Sequence, residues 1–295
     1  MEAGIVGLPY VGKTTIFKAL TALGAAGGDA GRPNVGVAPV PDPRLDLIAR
    51  YIPPKKITPA TLQVVDVAGL AAGASEGKGS GNRFLAHIRN VDALVHVVRC
   101  YEDASVPHVN DTIDPVRDIE EVETELMLAD LEVVENALAN AQKKARTGAK
   151  DAVARVAALE QCQAALSEGR SVRELDLTAD QRKDLTSLAL LSAKPVLYVA
   201  NIGEHEIDGD SAHAQAVFDY AASHGGQAAA VCAKLEAELV DIDAAERQEM
   251  LEAMGLDEPA LNVLARATFR LLGLHSFFTA GPKEVRAWVC RQGAS

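Results

Sequence analysis

Gly7-Leu8-Pro9-Tyr10-Val11-Gly12-Lys13-Thr14 satisfies every fixed position of the spacing G-x-x-x-x-G-K-[S/T]. The chemistry this spacing serves is phosphate capture. Glycines let the backbone curl until successive N–H groups point at one anion. Lys13 is placed to reach the β- and γ-phosphates, and the Thr14 hydroxyl to ligate Mg²⁺. A helix starting at the loop adds the positive end of its dipole. Tyr10, Val11, Gly12, Lys13, Thr14 and Thr15 are therefore expected to wrap the phosphates of a nucleotide.

Two later segments fit the same purpose. Asp66-Val67-Ala68-Gly69 closes an apolar run. Asp66 at that point can hold Mg²⁺ through water, and the Gly69 N–H can meet a γ-phosphate. The third is Asn201-Ile202-Gly203-Glu204. Guanine-specific nucleotide hydrolases carry Asn-Lys-x-Asp there, the aspartate accepting from guanine N1 and N2. Here the lysine is absent and a longer glutamate stands in the aspartate's place. Asn201 and Ile202 remain as purine contacts, while the short acceptor that guanine needs is displaced. Adenine has neither donor to satisfy, so ATP is expected over GTP. Cys232-Ala233-Lys234, closing the next apolar run, is expected to lie over the base as a backbone lid.

These motifs must be positioned by strands. Short apolar runs at 3–7, 62–67, 93–98, 195–200 and 228–232 read as buried strands, and 14–23 as a helix. Strands alternating with helices predict a parallel sheet covered on both faces. From Asp118 the period changes to that of a helix, with Ile119, Val122, Leu126, Leu128, Leu131, Val134 and Leu138 on one face. "KKARTGAK" (143–150) interrupts, and a second helical segment opens at Asp151. This reads as an antiparallel hairpin inserted in the α/β domain. The segment "GAAGGDAG" (24–31) has no periodicity.

Composition narrows the field. Acidic residues outnumber basic ones 41 to 29, a net charge of −12, which excludes a general nucleic-acid coat. The four cysteines lie far apart, without zinc or disulfide spacing. Lys13 and Lys18 break the N-terminal apolar run, so no secretory leader is expected there. No uncharged stretch approaches the about 20 residues of a membrane span. A cytoplasmic monomer without membrane contact is expected.

The motifs, in this order, resemble the YchF group of Obg-related ATPases. "GVAPVPDPRLD" (36–46), "VDVAGL" (65–70), "GASEGKGSGNRFLAHIRNVDALVHVVRC" (73–100), "ELMLADLEVVE" (125–135), "KPVLYVANIGE" (194–204) and "FFTAGPKEVRAW" (277–288) carry the likeness. Replacement of NKxD by NxxE is its most distinctive mark. The resemblance implies a mostly parallel P-loop, G-domain-like sheet with an inserted helical hairpin and the start of a TGS-like β domain. On that basis residues 1–117 and 191–276 form the G domain, 118–190 the hairpin and 277–295 the TGS start. It further implies a Mg²⁺-dependent, ATP-preferring hydrolase that associates with the ribosome, as large subunit or 70S particle, in a translation or stress switch. Leu70 replaces the water-orienting glutamine of Ras-like enzymes, and the resemblance points instead to His108 in "SVPHVND".

Three departures stand out. Tyr10 occupies a position where the family's loop has asparagine. No threonine lies between Thr21 and Thr58, where a switch segment would complete Mg²⁺ coordination. The chain ends at Ser295, soon after the start expected for the TGS-like part. Two other readings follow from these departures and the motifs: a non-catalytic ATP-binding scaffold and a GTP-preferring GTPase. A small-molecule kinase is disfavoured, because no arginine-rich lid lies between the strands. The basic residues Lys143, Lys144, Arg146 and Lys150 at the hairpin turn suit rRNA or plain solvent.

Overall fold

The five apolar runs become strands of one six-stranded sheet, whose sixth strand, at Asn34–Val40, is not among those predicted from the sequence. The computed structural model describes residues 1–22, 34–67, 80–146 and 150–293. β1 (Glu2–Val6) leads through the glycine-rich loop into α1 (Lys13–Ala22). β2 (Asn34–Val40), α2 (Pro43–Tyr51), the short β3 (Ile57–Thr58) and β4 (Ala60–Asp66) follow. Next come α3 (Ser80–Asn90), β5 (Ala93–Arg99), α4 (Pro115–Ala145) and α5 (Lys150–Ser167). After α6 (Ala179–Leu185) the sheet resumes with β6 (Val196–Asn201), α7 (Ala212–Ser223) and β7 (Gln227–Val231). α8 (Ala233–Asp241), α9 (Ala244–Ala253), α10 (Ala260–Leu271), β8 (Leu274–Ala280) and β9 (Val285–Arg291) complete the chain.

The sheet order is β2-β4-β1-β5-β6-β7. β1 lies parallel between β4 and β5, with Gly4 opposite Val65 on one side and Leu94 on the other. Every residue of β5 and of β6 is buried, the pattern of strands covered on both faces. The carboxyl ends of β1, β4 and β6 therefore come to one edge, carrying the phosphate loop, Asp66 and Asn201.

One strand departs from expectation. β2 is antiparallel to β4, with Asn34 opposite Asp66 and Val40 opposite Ala60, so the sheet is mixed. β2 is a half-buried edge strand holding a glycine and a proline, so no continuous apolar run marks it, and β4 is its one sheet neighbour.

The interruption between β5 and β6 is helical. α4 starts at Pro115, three residues before the predicted onset, because Asp114 caps it by accepting from the Arg117 N–H at 3.2 Å. Val134, Leu138 and Ala141 of α4 pack with Ala158, Leu159, Cys162 and Leu166 of α5 in a second core, separate from that of the sheet. Leu128, expected on the buried face, is 48% exposed. Residues 147–149, which hold the hairpin's glycine, lie outside the described residues.

A buried polar network fastens the base of this insertion to the sheet. Tyr198 on β6 donates to Glu123 on α4 at 2.7 Å, and Arg173 forms an ion pair with the same carboxylate. Burial pushes the Glu123 carboxyl up, but the Arg173 guanidinium, with His96 and the Tyr198 hydroxyl, holds it below the usual range. Asp130 accepts from the Leu191 and Ser192 N–H groups at 2.9 and 2.7 Å, tying α4 to the segment before β6. β3, β9 and β8 form a second, three-stranded sheet. Among the described residues no helix is long and apolar enough to cross a membrane.

Candidate nucleotide-binding site

Two loop glycines are required by geometry. Gly7 has φ +143°, and a Cβ there would stand 2.4 Å from the Val97 carbonyl oxygen. Gly12 has φ +98°, and its Cβ would stand 2.4 Å from Asn201 Nδ2. Tyr10 also adopts a left-handed conformation, φ +64°, with its ring largely in solvent. Asparagine tolerates this conformation far better than an aromatic residue.

Lys13 is buried, and its Nζ donates to the Leu8 carbonyl at 2.5 Å, so the side chain folds back beneath its own loop. Burial pushes its ammonium down to about 8, against the pull of the Asp66 carboxylate. Thr14 donates its hydroxyl to Asp66 Oδ2 at 3.2 Å. The two residues singled out for Mg²⁺, fifty-two positions apart, are thus in contact. They supply a hydroxyl and a carboxylate oxygen, hard donors of the kind that hold Mg²⁺ with phosphates and water. Thr15 is half-buried in the first turn of α1, and the Val11 side chain packs in the core.

Asn201 is the hub of the site. Its Nδ2 donates to the Val11 carbonyl at 2.9 Å, and its Oδ1 accepts from the Ala233 N–H at 3.0 Å. One buried amide thereby clamps the phosphate loop, the end of β6 and the start of α8 together. The following residue, Ile202, is turned into the core. Cys232 stands at the N-terminus of α8, and burial pushes its thiol up, away from thiolate chemistry. Glu204 and Lys234 leave the same two segments and meet in an ion pair of 2.7 Å. Sequence reasoning assigned only the backbone of Lys234 to the site, because 30 positions separate it from Glu204.

His108 is not the loose loop histidine its surroundings suggest. Its Nε2 stands 2.8 Å from Asp118 Oδ2, and its Nδ1 accepts from the Asn110 N–H at 3.1 Å. Only 5% of the side chain is exposed. Both ring nitrogens are committed, so none is free to accept from an attacking water in this conformation. Arg99 explains the order of the preceding loop. Buried at the end of β5, it donates to the carbonyls of Tyr101, Asp103, Val106 and Pro107 at 3.0–3.1 Å. Neither Arg99 nor Asp118 was singled out from the sequence, though an arginine closing a buried strand is itself a signal. Gly69 and Leu70 lie outside the described residues.

A cavity of about 890 Å³ lies elsewhere, between the β2–α2 turn, α10 and β8. Its Arg44 is paired with Asp42 at 2.7 Å and its Arg266 with Glu258.

The chain is similar to known proteins along its whole length. Residues 2–137 match the family model described as 50S ribosome-binding GTPase. The "Ribosome-binding ATPase YchF" of Escherichia coli O157:H7 is 44% identical over all of this chain and 82% of its own length. The Bacillus subtilis protein of the same name is 42% identical, over 99% of this chain and 82% of its own. Among solved structures, that described as the Schizosaccharomyces pombe YchF GTPase aligns with a TM-score of 0.86 at 32% identity. That alignment covers all of this chain and 81% of the other.

Proposed function

The chain belongs to the YchF family, and from that premise we propose that it is a Mg²⁺-dependent hydrolase that binds and slowly turns over ATP in preference to GTP. The observation that carries this reading is the meeting of Thr14 and Asp66, 3.2 Å apart, beside the buried Lys13. The curled loop presents N–H groups to the phosphates, and Lys13 swings from Leu8 to the anion, which favours its charged form. Thr14 and Asp66 would hold Mg²⁺, which would supply positive charge against the phosphates. The base sits over the Asn201 clamp, with Glu204 at its edge.

Turnover is slow on this reading, because Leu70 cannot orient water and His108 is held by Asp118. Release of that loop frees Nε2 to place the attacking water. Gly69 then supplies its N–H to the γ-phosphate. The relatives' name attaches them to the ribosome, and we extend that partnership to this chain. We read it as a G domain with a helical insertion and the start of a TGS-like part, acting as a cytoplasmic translation or stress switch.

Phosphate release from ATP and GTP, with and without Mg²⁺, and co-sedimentation with 70S ribosomes test this reading. Mg²⁺-dependent release from ATP, with nucleotide-dependent pelleting, supports it. Tight ATP binding with no release at all favours a scaffold.

A further inference from the structure

Glu204 is not a free carboxylate. Lys234 Nζ stands 2.7 Å from its Oε2, and the two side chains are 69% and 39% exposed for lysine and glutamate. Lys234 lies in the first turn of α8, where the helix dipole disfavours a cation. Its placement there is offset by Glu204, which raises the Lys234 pKa through their hydrogen bond. Both residues leave segments fixed by the Asn201 clamp: Ala233 donates to Asn201 Oδ1, and Glu204 follows Asn201 by three positions. The pair therefore stands at the base end of the nucleotide site.

We propose that Lys234 is a specificity-determining residue, which disfavours guanine by occupying the Glu204 carboxylate. The inference rests on the placement of the purine beside Asn201 and Glu204 argued above. Guanine presents two donors at this edge, N1–H and N2–H, and a free carboxylate accepts both. With Lys234 bound, Glu204 has one oxygen already engaged and its charge neutralised. The ammonium also faces the N1–H of guanine, donor against donor, and the N1 lone pair of adenine, donor against acceptor. Such a repulsive element against one ligand is a common source of selectivity. The replacement of aspartate by glutamate and the lysine on the neighbouring helix thus act together, one displacing the acceptor and the other occupying it.

An exposed ion pair adds little to stability. Its role should accordingly be read in the ratio of two affinities rather than in the melting temperature. The experiment is calorimetric titration of the full chain with ATP and with GTP in Mg²⁺, for wild type, Lys234→Met, Lys234→Arg and the double variant Lys234→Met/Glu204→Gln. Lys234→Met is expected to improve GTP binding relative to ATP by about 1.5- to fivefold, the range of an exposed pair. Lys234→Arg retains the wild-type ratio, and the double variant loses the gain, because glutamine offers guanine a single acceptor. An unchanged ratio in Lys234→Met overturns the proposal, as does an equal change in both affinities. Wild-type preference for GTP sinks the ATP assignment, while the response of the ratio to Lys234→Met still decides the role of Lys234.

Discussion

The Asn201 side chain donates to the Val11 carbonyl at 2.9 Å, across 190 positions of sequence. With its second bond to the Ala233 N–H, it joins the loop before α1, the end of β6 and the start of α8. Asn201→Ala removes both bonds and leaves a buried carbonyl and N–H without partners, at about 1–3 kcal/mol for each group. Both ATP and GTP should bind more weakly, and the melting temperature should fall. A fall confined to one nucleotide would mean that Asn201 reads the base and does not brace the loop.

Thr14 and Asp66 are expected to act through the metal. Thr14→Ala should abolish most of the difference in ATP affinity between Mg²⁺ and EDTA, a loss of about tenfold or more. Titration in the two buffers measures it. An undiminished Mg²⁺ effect would place the ion elsewhere.

Lys13 gives the site a pH dependence of known sign. Its folded-state pKa is depressed to about 8 from an ordinary 10.5. Below pH 8 the group is charged in both folded and unfolded chains, and its burial penalty is fully present. That penalty disappears as pH rises from 8 to 10.5, where the unfolded chain binds more protons. Without nucleotide, wild type should therefore gain stability relative to Lys13→Met across that window. ATP affinity should move the opposite way, weakening above pH 8 as the ammonium is lost. Denaturant melts and titrations at pH 7 and pH 9 check both signs.

Tyr10 holds a left-handed backbone without glycine or asparagine. Tyr10→Asn should raise stability by about 1 kcal/mol, the order of the strain removed. A drop in the melting temperature would show that the ring makes a contact worth more than the strain.

His108 and Asp118 separate structure from catalysis. His108→Ala should lower both stability and phosphate release. Asp118→Asn weakens a buried, charge-assisted bond, at about 1–2 kcal/mol, yet leaves the imidazole present to act. Its turnover should equal or exceed that of wild type while its melting temperature falls. Equal losses of turnover in both variants would make the pair a strut.

What the sequence made legible was local. The phosphate loop could be read because its function depends on eight consecutive residues, and the buried strands because β5 and β6 are mostly apolar runs, buried at every residue. Contacts between distant residues were hidden. Nothing in "VCAKLE" marks Lys234 as the partner of Glu204. Nothing in "SVPHVND" shows that Asp118, the expected start of a helix, closes over His108. β2 was equally silent: its half-buried "NVGVAPV" shows no continuous apolar run, and its pairing with β4 makes it a strand.

The central claim is that this site turns over ATP in preference to GTP. It is tested most directly by kcat/KM for the two nucleotides in saturating Mg²⁺, with phosphate release as the readout. The account predicts a higher value for ATP, with a small kcat. A higher value for GTP would contradict it, and with it the reading of Glu204.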